Sequence, residues 1–180
     1  MNKVLYPGSF DPITKGHMSI IDTASSMFDE VVVAVLINPS KKTHFFTEEE
    51  RVELIKELYK DNSKVKVITS TKSSVDVALE NNCSAMIRGI RGVTDLDYEI
   101  SLAQVNKDIS DNKVNTICLF ADSKYQFLSS SLVKEVFKLD KDIRKYVDDK
   151  VYDAMKKKVL KWKLKYLEAL VLIQKIIKTE

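Results

Sequence analysis

Tyr6-Pro-Gly-Ser-Phe-Asp-Pro-Ile-Thr-Lys-Gly-His17 lies between the apolar run Val4-Leu5 and a helix-like segment from Met18 to Phe28. It reads as the end of a strand, a turn rich in Gly and Pro, and the start of a helix. At such a junction in an α/β sheet the helix-opening amides can hold an anion, and Gly8 lets the backbone approach a phosphate. Turn chemistry alone accounts for the prolines and glycines. It does not ask for a histidine, so Ser9, Asp11, Thr14 and His17 in one turn mark a candidate ligand site.

Working outward, Val31-Val-Val-Ala-Val-Leu-Ile37 is unbroken and rich in β-branched residues, as suits a central strand of a parallel sheet covered on both faces. Asn38-Pro-Ser-Lys-Lys42 then forms a loop at that strand's C-terminal edge, and Thr47 with Glu50 makes a capping box opening a helix to about Tyr59. Lys41 is thereby expected at the same sheet edge as the Ser9–His17 turn. Val65-Lys-Val-Ile68 reads as a third strand, followed by a short helix from Ser74 to Asn81. Ala85-Met-Ile87 reads as a fourth, ending in the loop Arg88-Gly-Ile-Arg91-Gly. Two arginines among glycines at a strand exit can clamp phosphate, because guanidinium offers paired donors and glycine keeps Cβ atoms away.

A helix is expected over 95–109 with Glu99 near its start, then a fifth strand, Thr116-Ile-Cys-Leu-Phe120. Tyr125-Gln-Phe-Leu-Ser-Ser-Ser131 leads into a helix from Leu132 to about Lys138, and serines at a helix N-terminus make a second anion site. Strand and helix thus alternate about five times, which predicts a Rossmann-like, doubly wound α/β domain with a five-stranded parallel sheet and its ligand at the C-terminal strand edge. From Met155, apolar residues recur at Val159, Trp162, Tyr166, Ala169, Ile173 and Ile176, with a second stripe at Leu160, Leu164, Leu167 and Val171. That spacing predicts one long amphipathic helix whose broad apolar face packs on its own domain or on another subunit.

At 180 residues, 44% hydrophobic and 31% charged, the chain suits one globular domain. The net charge of +3 is unevenly spread: residues 150–180 carry nine lysines against Asp153, Glu168 and Glu180. This basic tail reads as a solvated helix face rather than a nucleic-acid or membrane surface. Cys83 and Cys118 have no metal-ligand spacing and are expected as buried thiols of a reducing compartment. With no signal-peptide core near Met1 and no apolar run of spanning length, a cytoplasmic protein is expected.

The pattern G-S-F-D-P-x-T-x-G-H resembles the signature of the T/H-x-G-H nucleotidyltransferases. Together with Asn38-Pro-Ser-Lys-Lys42, Ile87-Arg-Gly-Ile-Arg-Gly-Val-Thr-Asp-Leu-Asp-Tyr-Glu99 and Phe127-Leu-Ser-Ser-Ser-Leu-Val-Lys-Glu135, in order and spacing, it is similar to the phosphopantetheine adenylyltransferase family. The resemblance covers residues 1–158, the nucleotidyltransferase domain, and 159–180 would be a helical extension of that domain beyond the usual family end. It implies adenylyl transfer from ATP to 4′-phosphopantetheine, with Mg²⁺ arriving on ATP and no protein-held metal, and a homohexamer. Carried onto this chain, Ser9, Lys41, Ser74 and Arg88 would hold the acceptor, and His17, Lys41 and Arg91 would be catalytic. Ser9, Phe10, His17, Gly89, Ile90, Arg91, Glu99 and the loop Tyr125, Gln126, Phe127, Leu128, Ser129, Ser130, Ser131 would surround ATP; Ser74 and Glu99 owe their roles to the resemblance alone. Two other readings stay open: a related transferase with a different phosphate acceptor, and a nucleotide-binding module without turnover.

Overall fold

The computed structural model describes residues 2–37 and 43–177, with side-chain surroundings for all of these except 93–95 and 171–177. Five parallel strands, β1 (Lys3–Gly8), β2 (Glu30–Leu36), β3 (Val65–Ser70), β4 (Ala85–Ile90) and β5 (Asn115–Phe120), form one sheet in the order β3-β2-β1-β4-β5. The helices are α1 (Lys15–Met27), α2 (Glu48–Leu58), α3 (Ser74–Glu80), α4 (Val93–Ile109), α5 (Ser130–Lys138) and α6 (Asp149–Ile177). This is the expected doubly wound, Rossmann-like arrangement.

Both faces of the sheet are covered, which is why β2 is apolar throughout. Val31, Val33 and Val35 pack with Ile20, Ile21 and Ala24 of α1, Ile55 of α2, Val133 of α5, and Val151 and Met155 of α6. Val32 and Ala34 meet Val75, Val77 and Ala78 of α3 on the opposite face, together with Leu5 and Met86.

Between β1 and β4 the direction of winding reverses. Their pairing is confined to Val4 with Ala85 and Leu5 with Met86, although β1 runs on to Gly8 and β4 to Ile90. A crevice therefore opens between their C-terminal halves, at the topological switch point where ligands of such sheets bind.

Three local expectations need correction. Helix α1 starts at Lys15 rather than Met18, because Thr14 caps it and draws His17 into its first turn. Strand β4 continues through Arg88-Gly-Ile90, whose register opposite Cys118, Leu119 and Phe120 supplies the ladder that a loop reading denied them. Cys83 is buried as expected, but Cys118 is exposed, since it lies on edge strand β5.

Candidate active site

A cleft of about 410 Å³ opens at the C-terminal ends of β1 and β4, lined by the β1–α1 turn, the exit of β4, Glu99 of α4 and the loop into α5. The turn is built around Phe10, which holds a left-handed φ of 47° yet is buried. A non-glycine residue there needs surroundings that fix it. Its ring packs edge-on to Tyr6 at 5.4 Å and to His17 at 5.2 Å, and a Cβ on Gly8 would lie 2.9 Å from its Cζ. Gly8 is thus the space into which Phe10 folds.

Thr14 and His17 form the capping box of α1. The Thr14 amide donates to His17 Nδ1 at 3.0 Å, and the His17 amide donates to Thr14 Oγ1 at 3.4 Å. An imidazole nitrogen that accepts an amide proton carries none of its own, so the neutral ring has its proton on Nε2. Burial, and then the nearby Arg91 guanidinium, lower the His17 pKa from 6.5 to about 4. At neutral pH the ring is an uncharged donor at a helix N-terminus.

Arg88 and Glu99 form a fork-to-fork ion pair, Nε to Oε2 and Nη2 to Oε1, each 2.6 Å. Arg91 sends Nη1 toward the Leu128 carbonyl at 3.4 Å, linking β4's exit to the α5 loop. Ser129 caps α5 through the Leu132 amide, and Ser130 Oγ donates to the Pro12 carbonyl at 2.7 Å. The N-termini of α1 and α5 are thereby tied together beside two guanidinium groups. Converging helix amides, guanidinium groups, hydroxyls and a neutral imidazole donor make a receptor for phosphate oxygens.

Of the residues expected in the site, Ser9, Phe10, His17, Arg88, Gly89, Arg91, Glu99, Tyr125, Leu128 and Ser129 to Ser131 line the cleft. Ile90 is buried in β4, and Phe127 packs edge-on to Tyr146 at 5.7 Å; neither they nor Gln126 line it. Ser74 opens α3 after edge strand β3, also outside the lining. Lys41 lies outside the described residues.

A supporting layer lies behind these residues. Buried Asp11 accepts the Phe45 amide at 2.9 Å and the Phe46 amide at 2.8 Å, and pairs with Lys134 of α5 at 3.2 Å. Burial works to raise its pKa, but these amides and Lys134 outweigh it and hold the carboxyl below the usual carboxylate value. Arg51, also buried, donates from Nη1 to the Ser9 carbonyl at 2.8 Å. Asp11 was visible as a polar turn residue, whereas nothing in a helix sequence marks Arg51 as turning inward.

The sequence matches the Cytidylyltransferase-like family over residues 5–136. It is 43% identical over 154 residues to the phosphopantetheine adenylyltransferase of Leptospira biflexa, covering 86% of this chain and 95% of that protein. The enzymes of that name from Finegoldia magna and Caldanaerobacter subterraneus are 44% identical over 156 residues and 42% identical over 161, spanning 95% and 99% of their own lengths. Among solved structures, a nicotinate-nucleotide adenylyltransferase of Vibrio parahaemolyticus superposes with a TM-score of 0.61 at 18% identity, over 86% of this chain and 99% of that one, a likeness of fold. With the T-x-G-H capping box at the mouth of this cleft and this identity across nearly whole relatives, the chain belongs to the phosphopantetheine adenylyltransferase family of cytidylyltransferase-like proteins.

Proposed function

We propose that the protein transfers the adenylyl group of ATP to 4′-phosphopantetheine, giving dephospho-coenzyme A and pyrophosphate. The geometric observation that carries this reading is the neutral His17 ring, held by Thr14 with Nε2–H as its remaining donor, between two helix N-termini and the arginines of β4's exit. A phosphate oxygen of the acceptor attacks the α-phosphorus of ATP, forming the new P–O bond as the bond to pyrophosphate breaks. The nucleophile is already an anion, so the site needs no general base. Its work is to align two polyanions and to stabilise charge on the α-phosphate.

His17 donates to the α-phosphate, Arg91 and Lys41 neutralise its developing charge, and Ser9, Arg88 and Lys41 hold the acceptor phosphate. Tyr125, Leu128, Ser129 to Ser131, Gly89, Arg91, Phe10 and Glu99 surround the nucleotide. Mg²⁺, bound to the triphosphate, would supply further charge neutralisation there. Glu99, the carboxylate that the described residues bring to the cleft lining, is already paired with Arg88, which suits an ion carried by ATP better than one caged by this chain.

We assign the working assembly as a homohexamer in the cytoplasm. Exposed Tyr98, Ile100, Val105 and Ile109 of α4 and Phe120 of β5 support a subunit interface. No helix among the described residues is long and apolar enough to cross a membrane.

The test is pyrophosphate release by the purified protein with ATP and Mg²⁺, offered 4′-phosphopantetheine, nicotinamide mononucleotide or glycerol 3-phosphate. Release with phosphopantetheine alone is expected. Release with another acceptor would replace the substrate, and none with any acceptor, in protein that binds ATP, would leave a nucleotide-binding module.

A further inference from the structure

Past Val159 the described side chains of α6 lie in solvent: Leu160, Leu164, Tyr166 and Leu167 are all exposed. Lys158, half-buried just before that point, and Trp162, itself 46% exposed, both reach back to the segment 45–50. The Trp162 ring packs edge-on against Phe45 at 5.2 Å. Lys158 is bonded to the Glu50 carboxylate and lies over the rings of Phe46 and Trp162, at 5.6 and 5.8 Å.

That segment is also what grips the active-site turn. The Phe45 and Phe46 amides both donate to Asp11, and Arg51, one residue past Glu50, donates to the Ser9 carbonyl. Glu50 closes the capping box with Thr47 that starts α2 and so sets Arg51 in its place. One turn of chain therefore faces α6 on one side and the Ser9–Asp11 turn on the other.

We propose that Lys158 and Trp162 are positioning residues for the acceptor side of the reaction, holding the 45–50 segment so that Asp11 and Arg51 fix Ser9 where the acceptor phosphate binds. This rests on the adenylyl-transfer reading given above. The ATP side draws chiefly on β4's exit and the α5 loop, and of the clamped turn it shares Ser9 and Phe10, so the acceptor side depends on the clamp more heavily. Loss of the clamp should separate the two substrates kinetically.

The experiment uses the full chain and its variants Trp162→Ala, Trp162→Phe and Lys158→Met. It measures KM for 4′-phosphopantetheine, KM for ATP, kcat, and hydrogen exchange at the Phe45 and Phe46 amides. An aromatic edge contact sets the expected scale: Trp162→Ala should raise the phosphopantetheine KM about fivefold and the ATP KM by clearly less. Exchange at Phe45 and Phe46 should quicken in parallel, Lys158→Met should act in the same direction, and Trp162→Phe should restore both readouts. Unchanged phosphopantetheine KM in Trp162→Ala overturns the proposal whether or not exchange quickens, as does an equal rise in both KM values. A parent enzyme that does not turn over phosphopantetheine at all would instead remove the reading on which the clamp rests.

Discussion

In the proposed reaction His17 is the residue on which the chemistry turns, and its protonation follows from its contact with Thr14 and from burial. Thr14 occupies Nδ1, so Nε2–H is the one donor the ring keeps, without the ring being charged. His17→Ala should lower kcat a hundredfold or more, about 3 kcal/mol of transition-state stabilisation, while ATP affinity changes far less. Single-turnover kinetics beside equilibrium ATP binding separates the two, and equal losses would deny His17 a transition-state role. The lowered pKa also makes a stability prediction. An unfolded imidazole takes up a proton below about 6.5, but the folded one stays neutral down to about 4. Stability from this group is therefore complete above the unfolded value and is lost as pH falls toward the folded one. Urea midpoints measured between pH 7.5 and about 4.5 should fall more steeply in the parent than in His17→Gln, which has no such proton to bind. Coincident profiles would contradict the assignment.

At the scale of elements, the site depends on how loops are fastened to one another. Asp11 joins the β1–α1 turn to the backbone before α2 and to Lys134 of α5. Asp11→Ala would leave two amides and an ammonium without their acceptor, and the chain should lose about 3 kcal/mol, read as a drop in the urea midpoint. A loss under about 1 kcal/mol would mean that water replaces the carboxylate readily. Because the folded pKa of Asp11 is below the usual value, its contribution is present above the ordinary carboxylate pKa and fades as pH falls through the lowered one. Helix α6 fastens a different layer. Val151 and Met155 are fully buried against the sheet side of the core, so its first half is structural, and the clamp begins only at Lys158.

For the whole molecule, the large apolar side chains exposed among the described residues gather on α4, β5 and α6 past Val159, with isolated ones at Met27, Leu79, Phe127 and Leu139. If α4 and β5 meet another subunit, Ile100→Asp should disrupt assembly with little cost to the protomer, because Ile100 is 48% exposed there. Sedimentation velocity on the parent and the variant tests this: a parent hexamer and a smaller variant species of normal helicity are expected. An assembly that survives the aspartate would place the interface elsewhere, with the exposed stripe of α6 next to be tested.

What could be read from sequence was whatever is decided within a few residues. Unbroken Val and Ile runs announce strands buried on two faces, Thr47 with Glu50 announces a capped helix, and Gly8 to His17 announces an anion-binding turn, since each pattern carries its own local cause. The alternation of these elements then determines an α/β fold. Tertiary structure decided the rest, because it concerns partners far apart in the chain. The strand order sets β1 beside β4 and opens the cleft between them. It sends Arg88 to Glu99, Asp11 to Phe45 and Phe46, and Arg51 inward to Ser9. It puts Cys118 on an exposed edge strand and leaves Ser74 outside the cleft lining. Buried charges choose partners by what packing brings within reach once water is excluded, and no local pattern in the chain encodes that choice.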